Sequence, residues 1–226
     1  MFQFDQVSRP PYLAPVSLQV SAVEVVTIQG SSGVGKSVLL RALADLDSHQ
    51  GKVRLFQQTQ TKTPPEQWRR QVMWFGAETA WWLPTVLAHF EAVYHWRNEN
   101  LKQKAEKKPA DCQNSQSCPE LKAYLAEVGL EVSILNQPIW QLSSGEKQRL
   151  ALIRGLLLEP KVLLLDEVTA NCDPDSTLKV EALVKRYVKQ GGVSRCALWV
   201  THDPAQAERV AHRSFRLTQQ GLESLS

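Results

Sequence analysis

The sequence predicts an α/β core into which a helical subdomain is inserted. Three observations carry this reading. Short apolar runs alternate with amphipathic segments toward both ends of the chain, the pattern of buried parallel strands joined by helices. A glycine-rich turn connects one of the first strands to the helix that follows it. Between about 77 and 140 the strand pattern stops and apolar residues recur at helical spacing. The expected organisation is one domain over 1–226, with the core at about 1–76 and 141–226. The helical subdomain spans about 77–140 and carries a polar insertion at about 98–118.

Taken in order, "VSLQV" (16–20) and "VEVVTIQG" (23–30) read as strands, the second ending at a glycine turn. "KSVLLRALADL" (36–46) reads as a helix with one apolar face. "KVRLF" (52–56), between Gly51 and the polar run "QQTQTKTPPEQ", and "QVMWF" (71–75) are further strands. "TVLAHFEAVYHWRN" (85–98) and "PELKAYLAEVGL" (119–130) are helices, and the polar stretch between them has no apolar face, as expected of a surface insertion. "QLSSGEKQRLALIRG" (141–155) opens another helix, because Ser143 precedes Glu146 by three residues in the capping-box pattern. "KVLLLDE" (161–167) and "CALWVTHD" (196–203) are strands buried on both faces, with the helix "DSTLKVEALVKRYVKQ" (175–190) between them.

Composition narrows the function classes. At 43% hydrophobic and 22% charged residues the chain reads as an ordinary globular protein. No apolar run approaches the roughly 20 residues of a membrane-spanning helix. The start "MFQFDQVSRPPYL" lacks the basic and apolar regions of a secretory signal, so a cytosolic location is expected. The net charge of +3 is spread along the chain without a basic stripe, and no nucleic-acid partner is expected. Cys112, Cys118, Cys172 and Cys196 are expected to be reduced. Cys112 and Cys118 fit no common zinc spacing and are expected to be unpaired surface thiols.

The chemistry concentrates in three places. "GSSGVGKS" sets Gly30, Ser31, Ser32, Gly33, Val34, Gly35, Lys36 and Ser37 in the G-x-x-x-x-G-K-[ST] arrangement, between a strand and a helix. Glycines let backbone N–H groups approach phosphate oxygens, Lys36 supplies a positive charge, and the Ser37 hydroxyl can meet Mg²⁺. Val38 stands where such loops often carry a second hydroxyl, which removes one phosphate contact. The bland alternative is a glycine turn capped by a helix. At the end of "KVLLLDE", Asp166 and Glu167 are costly to place unless they meet a cation or line a site. Asp166 would hold Mg²⁺ through water, and Glu167, pointing the other way on an alternating strand, would polarise the attacking water. Otherwise they are two solvated acids. His202 follows an apolar strand and can reach a terminal phosphate, while Asp203 caps the next helix with Pro204 in its first turn.

"GSSGVGKS", "LSSGEKQR", "VLLLDE" and "WVTHD", in this order, resemble the ATP-binding subunit of ABC transporters over nearly the whole chain. The resemblance implies a P-loop NTPase fold of the ABC type and ATP with Mg²⁺ as ligands. It also implies a head-to-tail dimer, with each ATP on the P-loop of one copy and under Ser143, Ser144, Gly145 and Glu146 of the other. In the same terms Glu167 is the catalytic base, His202 the switch histidine and Asp173 the aspartate crossing the interface, where it can also cap a helix. Ser144 stands where glycine is commoner. Ala77 falls where a glutamine normally meets Mg²⁺ and senses the transport partner, with Glu78 as the adjacent substitute. Tyr12 or Arg9 could stack on adenine. The signature-to-Walker-B stretch looks most like small bacterial subunits of the FetAB type, linked to iron export. Trp81 and Trp82 then either help form a groove for a cytoplasmic helix of a membrane permease or belong to the subdomain core. The permease would hold the subunit on the inner face of the membrane. The competing readings are a soluble ABC-type ATPase acting on nucleic acid or ribosomes, and a regulatory module with weakened catalysis, for which Ala77 is the main support.

Overall fold

The computed structural model describes residues 1–103, 118–190 and 194–225, with backbone alone at 98–103. The described chain divides into two compact units. The first comprises 1–76, 160–167 and 184–226; the second comprises 77–159 and 168–183.

The first unit holds two sheets. Strands β1 (Phe2–Arg9), β2 (Leu13–Val20), β4 (Gln50–Leu55) and β5 (Gln58–Thr59) form an antiparallel sheet in the order β2-β1-β4-β5. The second sheet contains β3 (Val25–Gln29), β6 (Val72–Phe75), β7 (Val162–Asp166), β8 (Cys196–Val200), β9 (Arg213–Thr218) and β10 (Gly221–Leu225). Its order is β10-β9-β3-β8-β7-β6, parallel except for the edge strand β10. Every residue of β7 and β8 is buried, as their unbroken apolar sequences require. Helix α1 (Lys36–Leu43) turns Leu39, Leu40 and Leu43 onto Ile28, Leu164, Leu198 and Val200 in one core. Helix α2 (Pro65–Gln71) is anchored by Trp68, fully buried, whose indole N–H donates to the Leu43 carbonyl at 2.9 Å.

The register places the site. Ile28 pairs with Val200, and Asp166 pairs with Val200 on the other side, so β3, β7 and β8 end level. The loops after 29, 166 and 200 therefore leave from neighbouring carboxyl ends of parallel strands, where α/β sheets bind ligands.

Besides the two-residue β5, four elements went unread in the sequence. In β1, residues Phe2 and Phe4 alternate inward, but a bulge with Gln6 in the left-handed region shifts the register, and Val7 and Ser8 are both buried. The period of two is thereby erased. Strands β9 and β10 form a half-exposed edge hairpin with weak patterning. Helix α2 lies in what reads as a polar run, because only Trp68 of its seven residues is buried.

The second unit is helical: α3 (Val86–Gln103), α4 (Pro119–Glu127), α5 (Ser144–Leu156) and the first part of α6 (Pro174–Lys189). Residues 141–159 and 168–183 thus pack with the helices. Buried Arg97 of α3 binds Glu120 of α4 at 2.7 Å and Glu159, just beyond α5, at 2.6 Å. The backbone of α3 continues through 98–103, so helix occupies the start of the expected insertion; the rest of that segment, with Cys112, lies outside the described residues. Cys118 corrects an expectation: it is fully buried and disulfide-bonded, not a surface thiol. Cys172 and Cys196 are free.

Candidate nucleotide-binding site

The phosphate loop is built by backbone geometry. Gly35 is the N-cap of α1 with φ at 105°, and a Cβ there would stand 2.5 Å from the Tyr12 carbonyl oxygen. Gly30, at φ 151°, has the Leu217 carbonyl 2.6 Å from where a Cβ would be. No side chain caps α1, so its first-turn N–H groups are left for an anion. Lys36 is buried, and its ammonium donates to the Gly30 and Ser31 carbonyls at 2.9 Å each, folding back over the loop. Burial lowers its pKa, opposed by the nearby charges of Glu167 and Asp166. A cavity of about 590 Å³ opens beside Gly30, Ser31, Ser32, Gly33 and Val34 and reaches Thr201 and His202.

Asp166 ends β7 almost wholly buried, where the Ser37 hydroxyl donates to it. Burial pushes its pKa up in spite of that bond and of Lys36. Such a carboxylate is relieved by a cation, and the adjacent hydroxyl is a fitting oxygen ligand for Mg²⁺. Glu167 lies just past the strand, so strand alternation does not aim it. Its φ of 54° is left-handed, and its N–H donates to the Val200 carbonyl at 3.1 Å. The strained turn brings Glu167 Oε1 to 2.8 Å from His202 Nε2. Asp203 caps α7 (Pro204–Val210) by accepting from Ala205 N–H at 2.9 Å.

In the second unit, α5 starts with the expected capping box. Ser143 N–H and hydroxyl both donate to Glu146 Oε2 at 2.8 Å, and Glu146 N–H returns to Ser143 Oγ at 3.2 Å. Ser143 and Ser144 are exposed. Gly145 is buried because the loop before α6 runs against it: a Cβ would lie 2.6 Å from the Asn171 carbonyl oxygen. Exposed Asp173 accepts from Ser176 N–H at 2.9 Å and caps α6; the Ser176 side chain and then its N–H lower the Asp173 pKa.

The ABC transporter family model matches residues 13–170, which contain the phosphate loop, the capped serines and Asp166–Glu167. The chain belongs to the ABC transporter ATPase family. A relative from Escherichia coli (strain K12), named "Probable iron export ATP-binding protein FetA", is 37% identical over 190 residues, covering 83% of this chain and 76% of its own. The LolD ATP-binding protein of the lipoprotein-releasing system from Idiomarina loihiensis is 32% identical over 204 residues, covering 88% and 82%. The fold matches the dimeric bacterial ABC transporter cassette MJ0796 with a TM-score of 0.77 at 23% identity, over 100% of this chain and 99% of that one. The same cassette is also known in a post-hydrolysis dimer bound to ADP and Pi, matched with a TM-score of 0.76 at 21% identity over the same shares. Like its family, the protein is an ATPase.

Of the two candidates for stacking on adenine in this ATPase, Tyr12 is the more open, with the Arg9 guanidinium 6.0 Å from its ring centroid. It is 62% exposed and lines a second cavity that shares Gly33 and Val34 with the first. Arg9 is instead held by Asp47 at 3.0 Å. The ATPase also carries a cluster that sequence reading missed. The Arg154 guanidinium stacks on the Trp81 and Trp82 rings, 4.6 and 4.9 Å from their centroids, and donates to the Ala80 carbonyl at 3.1 Å. Burial pulls its pKa down to about 10. His89 lies edge-on to both indoles; its Nε2 accepts from Trp82 and Leu83 N–H at 3.0 Å, which leaves the proton on Nδ1, toward the Thr85 carbonyl. Trp81 is half-buried while Trp82 is 66% exposed, so neither the core reading nor the groove reading covers both. Glu78 is exposed and makes no ion pair among the described residues.

Proposed function

We propose that the chain is the ATP-hydrolysing subunit of an ABC transporter, working as a head-to-tail pair with a separate membrane permease. The observation that carries this is the convergence of Lys36, Ser37, Asp166, Glu167 and His202 at level ends of three parallel strands.

ATP lies with its adenine against Tyr12 and its phosphates along the N–H groups of Gly30, Ser31, Ser32, Gly33, Val34 and Gly35 and of Val38 in α1. Lys36 exchanges its two loop carbonyls for outer phosphate oxygens. Ser37 and Asp166 would hold Mg²⁺, which supplies neutralisation of the charge on the phosphates. Glu167 orients and polarises the attacking water, and His202 holds the Glu167 carboxylate and the terminal phosphate in register. Ser143, Ser144 and Gly145 of the second copy close the site with a helix N-terminus, Glu146 shapes that end through its capping box, and Asp173 crosses between copies.

The permease docks on the helical unit near exposed Trp82, which places the subunit on the cytoplasmic face of the membrane. Iron is the cargo best supported, through the E. coli relative.

The closure reading is tested with Glu167→Gln. This variant should bind MgATP, lose ATPase activity by about a hundredfold or more, and sediment as a dimer only with nucleotide. Wild-type turnover, or a strict monomer saturated with MgATP, rejects the proposal. Lys36→Ala should abolish MgATP binding by calorimetry in the same preparation.

A further inference from the structure

Gln148 is 4% exposed on the second turn of α5, and both ends of its amide bond to other loops. Its Nε2 donates to the Ala77 carbonyl at 3.0 Å, and its Oε1 accepts from Asn171 N–H at 3.1 Å. A side-chain amide presents a donor to a carbonyl and an acceptor to an N–H from one planar group, so the two partners fix its orientation. Around the next turn of the same helix end, the bare Cα of Gly145 lets the Asn171 backbone approach closely. Three stretches far apart in sequence thus meet at one side chain: the loop at Ala77, the start of α5, and the loop leading to Asp173. Ala77 has no polar side chain, and its carbonyl is the handle that Gln148 grips.

We infer that Gln148 is a positioning residue that joins the Ala77 loop, the Ser143–Gly145 helix end and the Asp173 loop into one body, so that lid and interface aspartate reach the second copy's nucleotide together. This rests on the shared-nucleotide reading above. A displacement of the Ala77 loop is passed to the Asp173 loop through the two bonds of one side chain. Losing them leaves a carbonyl and an N–H without partners and the two loops free to move separately.

Two variants test this. Gln148→Leu removes both bonds at similar volume. Gln148→Glu keeps the acceptor toward Asn171 but sets a carboxylate against the Ala77 carbonyl; once protonated, that carboxyl can donate to Ala77 and restore the pattern. The neighbouring ionisable group is the Cys172 thiol, 4.0 Å from Oε1, which itself feels the charges of Arg149 and Asp173. MgATP affinity of the isolated subunit should stay within about twofold of wild type, because the phosphate loop is untouched, while kcat falls about ten- to a hundredfold in Gln148→Leu. The rate of Gln148→Glu relative to wild type should be low near about pH 8 and climb toward about pH 6, with no such climb in Gln148→Leu. Amide exchange at Asn171 should accelerate in Gln148→Leu at either pH. Wild-type kcat in Gln148→Leu, or a flat Gln148→Glu ratio across pH, overturns the inference while leaving the ATPase reading intact. If wild type itself neither dimerises on MgATP nor hydrolyses it, the shared-nucleotide reading falls and takes the role of Gln148 in closure with it; unchanged exchange at Asn171 separately rejects the joining of the loops.

Discussion

At the scale of single residues, the glycines of the phosphate loop answer to different constraints. Gly33 and Gly35 both have positive φ, but they differ in surroundings. A Cβ on Gly33 meets nothing within 4 Å, whereas on Gly35 it meets the Tyr12 carbonyl at 2.5 Å. Gly33→Ala should therefore cost only the left-handed backbone penalty, about 1–2 kcal/mol. Gly35→Ala adds overpacking against backbone and should cost roughly 2–5 kcal/mol, with loss of MgATP binding. Urea unfolding of the two variants side by side checks the ranking; equal losses would remove the steric account. The motif spelled out that glycines belong here. It did not say that one answers to conformation alone and the other also to the turn at Tyr12.

At the scale of elements, the segment from Trp81 to α3 depends on one imidazole. His89 is fully buried and accepts two backbone N–H groups, which only its neutral form can do. Burial is the main cause that lowers its pKa from the ordinary 6.5, and Arg154 adds to it. The sign follows from proton counting. Below about 6.5 the unfolded chain binds a proton at this residue that the folded unit refuses, so stability falls as pH drops from there toward the folded pKa. Thermal unfolding followed between about pH 7.5 and 5.5 should show a declining midpoint in wild type and a shallower decline in His89→Gln. Identical slopes would mean that His89 is not the group responsible. Since Arg154 stacks on the same indoles, the variant should also alter Trp82 fluorescence.

For the whole molecule, the decisive question is what the ATPase drives. No helix among the described residues is long and apolar enough to cross a membrane. Co-expression with the proposed permease should yield inside-out vesicles that take up Fe²⁺ only with MgATP, and Glu167→Gln should abolish that uptake. ATP-dependent uptake of a different solute, with no iron movement, would keep the transport ATPase and discard the cargo. The family includes relatives named for lipoprotein release as well as for iron export, and ATP chemistry is common to both.

The sequence by itself determined the local chemistry: the phosphate loop, the capping box at Ser143, the acids ending β7, and the buried strands, each encoded within a few consecutive residues. Those signals are short-range because glycine geometry, helix capping and apolar runs act between near neighbours. Only the tertiary structure decided what depends on residues distant in the chain. The level ends of β3, β7 and β8 come from register. The aim of Glu167 comes from a left-handed turn tied to Val200, and not from the strand alternation its position suggests. The Arg154–Trp81–Trp82–His89 cluster and the double grip of Gln148 join segments that no periodicity connects. Strand β1 stayed hidden because its bulge cancels the alternation that would have announced it. Pairing, bulges and buried polar bonds are properties of contacts, and a contact exists only once the chain has folded back on itself.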